Sequence, residues 1–89
     1  MGIHETHPDT LARLMRARGH LDSVIRMIQE GQECLAVAQQ MQAVSKAIST
    51  AKNGYVHDHI DHCFDEALLA KGKDSRASLA ELKEITKYL

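Results

Sequence analysis

The sequence predicts an all-α protein built from three helices, of which the central one is very long. Apolar residues recur at three- and four-residue steps along most of the chain, and its 89 residues include one proline. With only two tyrosines and one phenylalanine, any core must be aliphatic and packed between helices. We expect one small domain, residues 1–89, near the size at which a single core is marginally stable, so self-association is expected as well.

The first helix is predicted over about residues 8 to 30. Pro8 suits the first turn of a helix, and Asp9 complements the helix dipole. Gly31 is a plausible C-cap. The apolar positions at helical spacing are Leu14, Ala17, Leu21, Val24, Ile25 and Ile28.

The second helix is predicted from Gln32 or Glu33 onward and should reach roughly 35 residues, because Gly54 is the one helix breaker in that stretch. Its apolar stripe consists of Cys34, Ala38, Met41, Val44, Ile48, Ala51, Tyr55, His59, Cys63 and Ala67. Ala43, Ala47 and Ala51 form a second row of small side chains, where another helix could approach closely.

The third helix is predicted after the linker AKGKDS. The sequence SLAE, from Ser78 to Glu81, has the form of a capping box, which would start the helix there. The apolar residues that follow are Leu79, Leu82, Ile85 and Leu89.

Several classes of protein are disfavoured by composition. The chain has no apolar run long enough to span a bilayer, and its N-terminus lacks the pattern of a signal peptide, so we expect a cytoplasmic protein without a membrane partner. Two cysteines in a reducing compartment are more often thiols, ligands or redox groups than a disulfide. A nucleophile and a base exist for a Cys/His hydrolase, but no oxyanion donor set can be argued, so no enzyme is predicted.

The stretch HDHIDHC, residues 57 to 63, indicates a metal site. His59 and Cys63 are four positions apart, so both side chains project from one helix face and could chelate one ion. Cys34 lies 25 positions before His59, which corresponds to roughly 37 Å along an unbroken helix. If Cys34 joins the site, it must come from a second, antiparallel copy, with a two-fold axis near Ala47 and Ile48.

Two thiolates and one imidazole form a soft set of three ligands that matches trigonal Cu(I). Structural zinc normally takes four protein ligands, and square-planar nickel would need a fourth donor, for which His4 or His7 are candidates. Each residue also has a simpler interpretation. Cys34 could be a small hydrophobic residue, and His57 and His62 are expected to be solvated, with Glu66 as a partner for His62.

The chain resembles the small all-helical bacterial repressors that include the copper sensor CsoR, the nickel and cobalt sensor RcnR, the formaldehyde sensor FrmR and the persulfide sensor CstR. The resemblance runs from HPDTLARLMRARGHLDSVIRMIQEGQEC through QQMQAVSKAI to HDHIDHCFDEA. Its most specific element is the copper-sensing pattern that falls on Cys34, His59 and Cys63. The resemblance implies a disc-shaped tetramer, a dimer of dimers, in which Cys34 of one chain meets His59 and Cys63 of its partner.

The resemblance also implies a repressor that binds operator DNA when ligand-free and is released when the sensor site fills. The family has no typical DNA-reading helix, so a basic surface is the expected contact. Where relatives typically read RLKRIEGQ this chain reads RLMRARGH, so that Met15, Arg18 and His20 depart from the pattern. The residues expected to contact DNA phosphates are Arg13, Arg16, Arg18, Lys46 and Lys52.

Other signals and functions stay open at this point. Cys34 and Cys63 align with the two cysteines through which the persulfide sensors form a sulfur-bridged link, which needs no bound cofactor. Nickel, Ni(II), is the other metal to consider, with His4 or His7 as an added ligand. A helical metal buffer that never contacts DNA is a further alternative, in which Arg13 and Arg16 would be dispensable.

Overall fold

A computed structural model of the chain describes residues 7–69 and 73–89. Within these ranges it contains helices and no strand, which confirms the predicted all-α class with three helices. The order is α1 (Pro8–Gln29), α2 (Cys34–Leu69) and α3 (Lys73–Ile85), followed by a short 3₁₀ turn, Thr86–Tyr88.

Helix α1 ends as the sequence predicts, at a glycine in the left-handed conformation. Gly31 has φ +72°, which glycine adopts without the steric cost that a Cβ atom brings. The N–H of Gln32 donates to the carbonyl of Met27 at 3.0 Å, and the N–H of Gly31 donates to that of Ile28 at 3.1 Å. This pair of bonds is a Schellman motif, which satisfies carbonyls at the end of the helix and turns the chain towards α2.

Helix α2 is continuous over 36 residues, close to the predicted length. Gly54 does not interrupt it, since a single glycine costs a helix only about 1 kcal/mol relative to alanine. The described residues divide into two compact units, residues 7–52 and residues 53–69 with 73–89, and α2 contributes to both.

The N-terminal unit has an aliphatic core, as the composition predicts. Val24 on α1, only 2% exposed, packs with Val37 and Val44 on α2, and Met27 lies against them. Several large apolar side chains of the same unit are nonetheless about half exposed. They include Leu11, Leu14, Met15, Leu21, Ile25, Ile28, Leu35, Met41 and Ile48.

The C-terminal unit corrects the prediction for the third helix. Helix α3 begins at Lys73, so Ser78 lies inside the helix and is buried, and the capping box predicted at Ser78 to Glu81 is wrong. No proline or glycine occurs between Lys73 and Ser78, so the sequence offers nothing to stop the helix from starting earlier. The Glu81 carboxylate hydrogen-bonds a histidine of α2 instead of capping α3. Part of the predicted linker, residues 70–72, lies outside the described residues.

No helix in the described parts of the chain is long and apolar enough to cross a membrane.

Candidate metal centre

Three side chains of the C-terminal unit bring ligand atoms together. His59 and Cys63 lie one turn apart on α2, and Glu81 approaches them from α3. One ligand atom from each residue lies within 4.8 Å of the others. Among residues 7–69 and 73–89 this is the one group of three such side chains that could share a metal ion. The predicted convergence of His59 and Cys63 is therefore present in the fold.

A hydrogen bond to Glu81 fixes the His59 ring. Nε2 of His59 donates to the carboxylate of Glu81 at 2.7 Å, so the proton of the neutral imidazole resides on Nε2. The nitrogen left to bind a metal is then Nδ1. This is the usual arrangement for a histidine ligand, whose second nitrogen donates to a carboxylate or carbonyl and thereby sets the orientation of the ring.

Cys63 is enclosed by the protein, with 1% of its surface exposed. Burial raises the pKa of its thiol, and the negative charges of Glu81 and Glu66 raise it further. The uncharged thiol is therefore the favoured form in the metal-free protein. A positive ion at this position would reverse the balance, because it stabilises the thiolate that acts as its ligand.

The raised pKa of Cys63 predicts how the stability of the metal-free protein depends on pH. Since the folded state holds the proton more tightly than the unfolded chain, this contribution to stability is present below the ordinary thiol pKa of 9.0 and is lost as pH rises above it. In urea unfolding under reducing conditions, the native protein should lose stability above that pH more steeply than Cys63→Ala. Cys34→Ala is the matched control and should lose stability with pH as the native protein does. If Cys63→Ala showed the same pH dependence as the native protein, that dependence would not come from Cys63.

The other predicted ligands lie elsewhere. Cys34 is the first residue of α2 and is exposed, and it does not belong to the group around His59. His7 precedes α1 with a left-handed backbone, φ 39°, and is not a member of that group either. His4 lies outside the described residues. His57 is exposed, and His62 pairs with Glu66 at 3.1 Å as the sequence predicts.

Glu81 is the residue that sequence analysis missed at this site. Its spacing from Ser78 matches a capping box, which gives it a different predicted role. It lies 22 positions from His59 on a separate helix, so no helical periodicity connects the two residues. That a carboxylate on α3 faces the histidine stretch becomes evident only once the packing of α3 against α2 is known.

Two of the basic residues predicted to contact DNA lie together in the N-terminal unit. Arg13 and Arg16 line one cavity with His20 and Thr50. Arg18, Lys46 and Lys52 are exposed and are not part of its lining.

Comparison with known proteins connects these features to a family. The family model described as metal-sensitive transcriptional repressor matches residues 6–89. The chain belongs to this family of repressors. That membership agrees with the prediction that the protein is not an enzyme.

Curated relatives of this chain include copper-sensing transcriptional repressors, of which three are described here. The copper-sensing transcriptional repressor CsoR of Mycobacterium ulcerans is 37% identical over 78 residues, which cover 88% of this chain and 65% of the relative. CsoR of Mycobacterium bovis (strain BCG) is 33% identical, covering 88% of this chain and 64% of the relative. The copper-sensing repressor RicR of Mycobacterium tuberculosis is 32% identical over 78% of this chain and 72% of the relative.

The chain thus spans slightly less than two thirds of the length of the two CsoR proteins. No solved structure matches it.

Proposed function

We propose that the chain is a copper-responsive repressor that binds operator DNA in its metal-free form and releases it when Cu(I) binds between two copies. The ligands are Cys34 of one copy with His59 and Cys63 of the other. The observation that supports this most strongly is the approach of the His59 and Cys63 ligand atoms, within 4.8 Å, on one face of α2. The copper-sensing function of the relatives points to the same metal.

The chemistry of the donors favours Cys34 over Glu81 as the third ligand. Cu(I) is a soft ion that prefers thiolate to carboxylate ligands. Glu81 already accepts the hydrogen bond from Nε2 of His59, which orients the ring and increases its basicity as a ligand. Cys34 is exposed at the start of α2, so its thiol is accessible to a second chain.

The N-terminal unit offers a surface on which a second copy could pack. An apolar groove of about 360 Å³ runs between α1 and α2. Leu21, Met41 and Ile48 at this groove are each 44–49% exposed, which is unusual for large aliphatic side chains unless another surface covers them. Ile48 is also close to the position expected for a two-fold axis between antiparallel α2 helices. The family's dimer and its dimer-of-dimers tetramer are consistent with this groove.

DNA binding is assigned to the basic residues of the N-terminal unit, Arg13, Arg16, Arg18, Lys46 and Lys52. All five side chains are exposed. Because the chain as a whole has a net charge of −1, attraction to DNA depends on positively charged side chains that share one surface. Contacts to phosphates make such binding strongly dependent on salt. Copper binding is coupled to DNA binding through α2, which carries two of the basic residues and all three proposed ligands. A coupling of about 1–3 kcal/mol would weaken DNA binding roughly 5- to 150-fold.

The experiment that tests the proposal titrates reduced, metal-free protein with Cu(I) under anaerobic conditions, against a chelator of known affinity. The complex with fluorescent promoter DNA is followed by anisotropy in the same samples. We expect about one tightly bound Cu(I) per chain, because two symmetric sites arise in each dimer, and loss of the DNA complex at that stoichiometry.

Other outcomes would each contradict one part of the proposal. Tight copper binding without DNA release would leave a metal-binding helical protein that is not a copper-responsive repressor. Release by a persulfide donor alone would favour a sulfur switch, although Cys63 is buried and its raised thiol pKa disfavours the reactive thiolate. Release by Ni(II) alone would favour a nickel sensor with an additional histidine ligand.

A further inference from the structure

The group of His59, Cys63 and Glu81 offers a second way to hold a metal ion, within a single chain. Its side chains supply one imidazole, one thiol and one carboxylate, whose ligand atoms lie within 4.8 Å of one another. All three residues belong to the C-terminal unit, so their approach needs no partner chain. Cys34, which the proposed Cu(I) site requires, is the first residue of α2 and lies outside this group.

The donor set of this group matches a divalent ion of intermediate softness better than it matches Cu(I). Zn(II) accepts thiolate, imidazole and carboxylate ligands together, and in sites open to solvent it has three protein ligands and a water molecule. One thiolate and one carboxylate balance its two positive charges, which favours binding beside the enclosed Cys63, where an unbalanced charge is costly. Solvent can supply the water, because the side chains of His59 and Glu81 are 25% and 56% exposed.

The hydrogen bond between His59 and Glu81 lies where the ion would bind. Nε2 of His59 and the carboxylate oxygen of Glu81 are 2.7 Å apart, with one proton between them. Tetrahedral zinc with bonds of about 2.0–2.2 Å would place these two atoms about 3.4 Å apart, and a sulfur ligand about 3.6 Å from each. The thiol of Cys63 is within 4.8 Å of a ligand atom on both residues. Rotation of the long, exposed Glu81 side chain can supply changes of this size.

We propose that Nε2 of His59, the thiolate of Cys63 and the carboxylate of Glu81 bind one Zn(II) ion within a chain, with water as the fourth ligand. The ion takes the place of the proton on Nε2, the ring stays neutral with its proton on Nδ1, and the thiol proton passes to solvent. In the Cu(I) site the same ring binds through Nδ1, and Glu81 accepts a hydrogen bond from Nε2. The two ions therefore compete for Cys63, and this competition alone rests on the proposed function.

The ligand set is tested by measuring Zn(II) affinity on reduced, metal-free protein in competition with a chelator of known affinity. Glu81→Gln should weaken Zn(II) binding by more than about 100-fold, because a direct ligand is lost and even the partners of ligands contribute about 10- to 100-fold to metal affinity. Cys34→Ser should bind Zn(II) as the native protein does. Glu84→Gln is the matched control, since Glu84 lies on the same helix, pairs with Lys87 and is outside the group.

The native protein tests the site without any substitution. In NMR spectra of the imidazole nitrogens, Zn(II) should change the signal of Nε2 of His59, and Cu(I) that of Nδ1. Co(II), a coloured probe that accepts tetrahedral coordination, should show the absorption of a tetrahedral ion with charge transfer from a thiolate. A Zn(II) effect on Nδ1, or an octahedral Co(II) spectrum without charge transfer, would overturn the proposal even if Glu81→Gln fails to fold.

Competition between the two ions is measured by adding Cu(I) to the Zn(II)-loaded protein in the presence of a coloured zinc indicator. Cu(I) should transfer the bound Zn(II) to the indicator, because both ions need the thiolate of Cys63. Tight binding of Cu(I) with Zn(II) retained would show that the ions do not share this ligand and would overturn the proposed arrangement.

The outcomes distinguish this proposal from the proposed function. Loss of Zn(II) binding in Cys34→Ser with full binding in Glu81→Gln would place Zn(II) between two chains and overturn the single-chain site, while release of DNA by Cu(I) would stand. Equal Zn(II) affinity in both variants and the native protein would overturn it as well. The expected order of variants, in a protein that Cu(I) does not release from DNA, would support the Zn(II) site and overturn the copper-responsive repressor.

Discussion

Replacing His59 with alanine is expected to abolish the release of DNA by Cu(I), while the metal-free variant still binds its operator. The substitution removes the imidazole proposed as a ligand and also the hydrogen bond that connects α2 to Glu81 on α3. Cu(I) affinity should fall by more than about 100-fold, because the loss of a residue that only orients a ligand already lowers metal affinity 10- to 100-fold. Cu(I) should then no longer weaken DNA binding, whereas in the native protein we expect it to do so roughly 5- to 150-fold.

The control for this variant is His57→Ala. His57 lies on the same helix two positions away, is exposed, and is not part of the group around Cys63. It should therefore respond to copper like the native protein. Full copper-driven release in His59→Ala would contradict the ligand assignment. Retained release by a persulfide donor in that variant, with copper release lost, would show that the two cysteines alone can act as a second switch.

The helices of this protein follow from local rules, which is why the sequence predicts them well. The end of α1 at Gly31 is set by backbone sterics, and α2 continues through Gly54 because a single glycine costs a helix only about 1 kcal/mol. The start of α3 is less predictable, because the pattern Ser78 to Glu81 has the same form inside a helix as at its beginning. Only burial of Ser78 in the packed unit distinguishes the two.

The candidate metal centre shows a similar limit to prediction from sequence. His59 and Cys63 are predictable because a spacing of four places two side chains on one helix face. The role of Glu81 depends on how α3 returns to α2, a tertiary relation that leaves no periodic signal in the sequence.

The second large effect is expected for Cys34. Cys34→Ser should reduce Cu(I) affinity by more than about 100-fold, because a hydroxyl is a poor ligand for a soft ion, and it should leave folding unchanged since the thiol is exposed. Glu81→Gln keeps a hydrogen-bond acceptor for His59 and should bind copper within about 10- to 100-fold of the native protein. A site made from His59, Cys63 and Glu81 of one chain predicts the opposite order of the two variants.

Mixing two inactive variants decides whether the site joins two chains. In the proposed dimer, Cys34→Ser and Cys63→Ser would each lack one ligand at both sites. A mixed dimer rebuilds one of its two sites, because one chain supplies the intact Cys34 and the other the intact His59 and Cys63. After exchange of subunits at equal concentrations, about half of the dimers are mixed, so about a quarter of the native number of tight Cu(I) sites should return. Each variant on its own lacks one of the proposed ligands, so recovery of tight binding on mixing requires that two chains contribute to one site. If the mixture binds no more copper than the two variants measured separately, the proposal that two chains share the site is wrong.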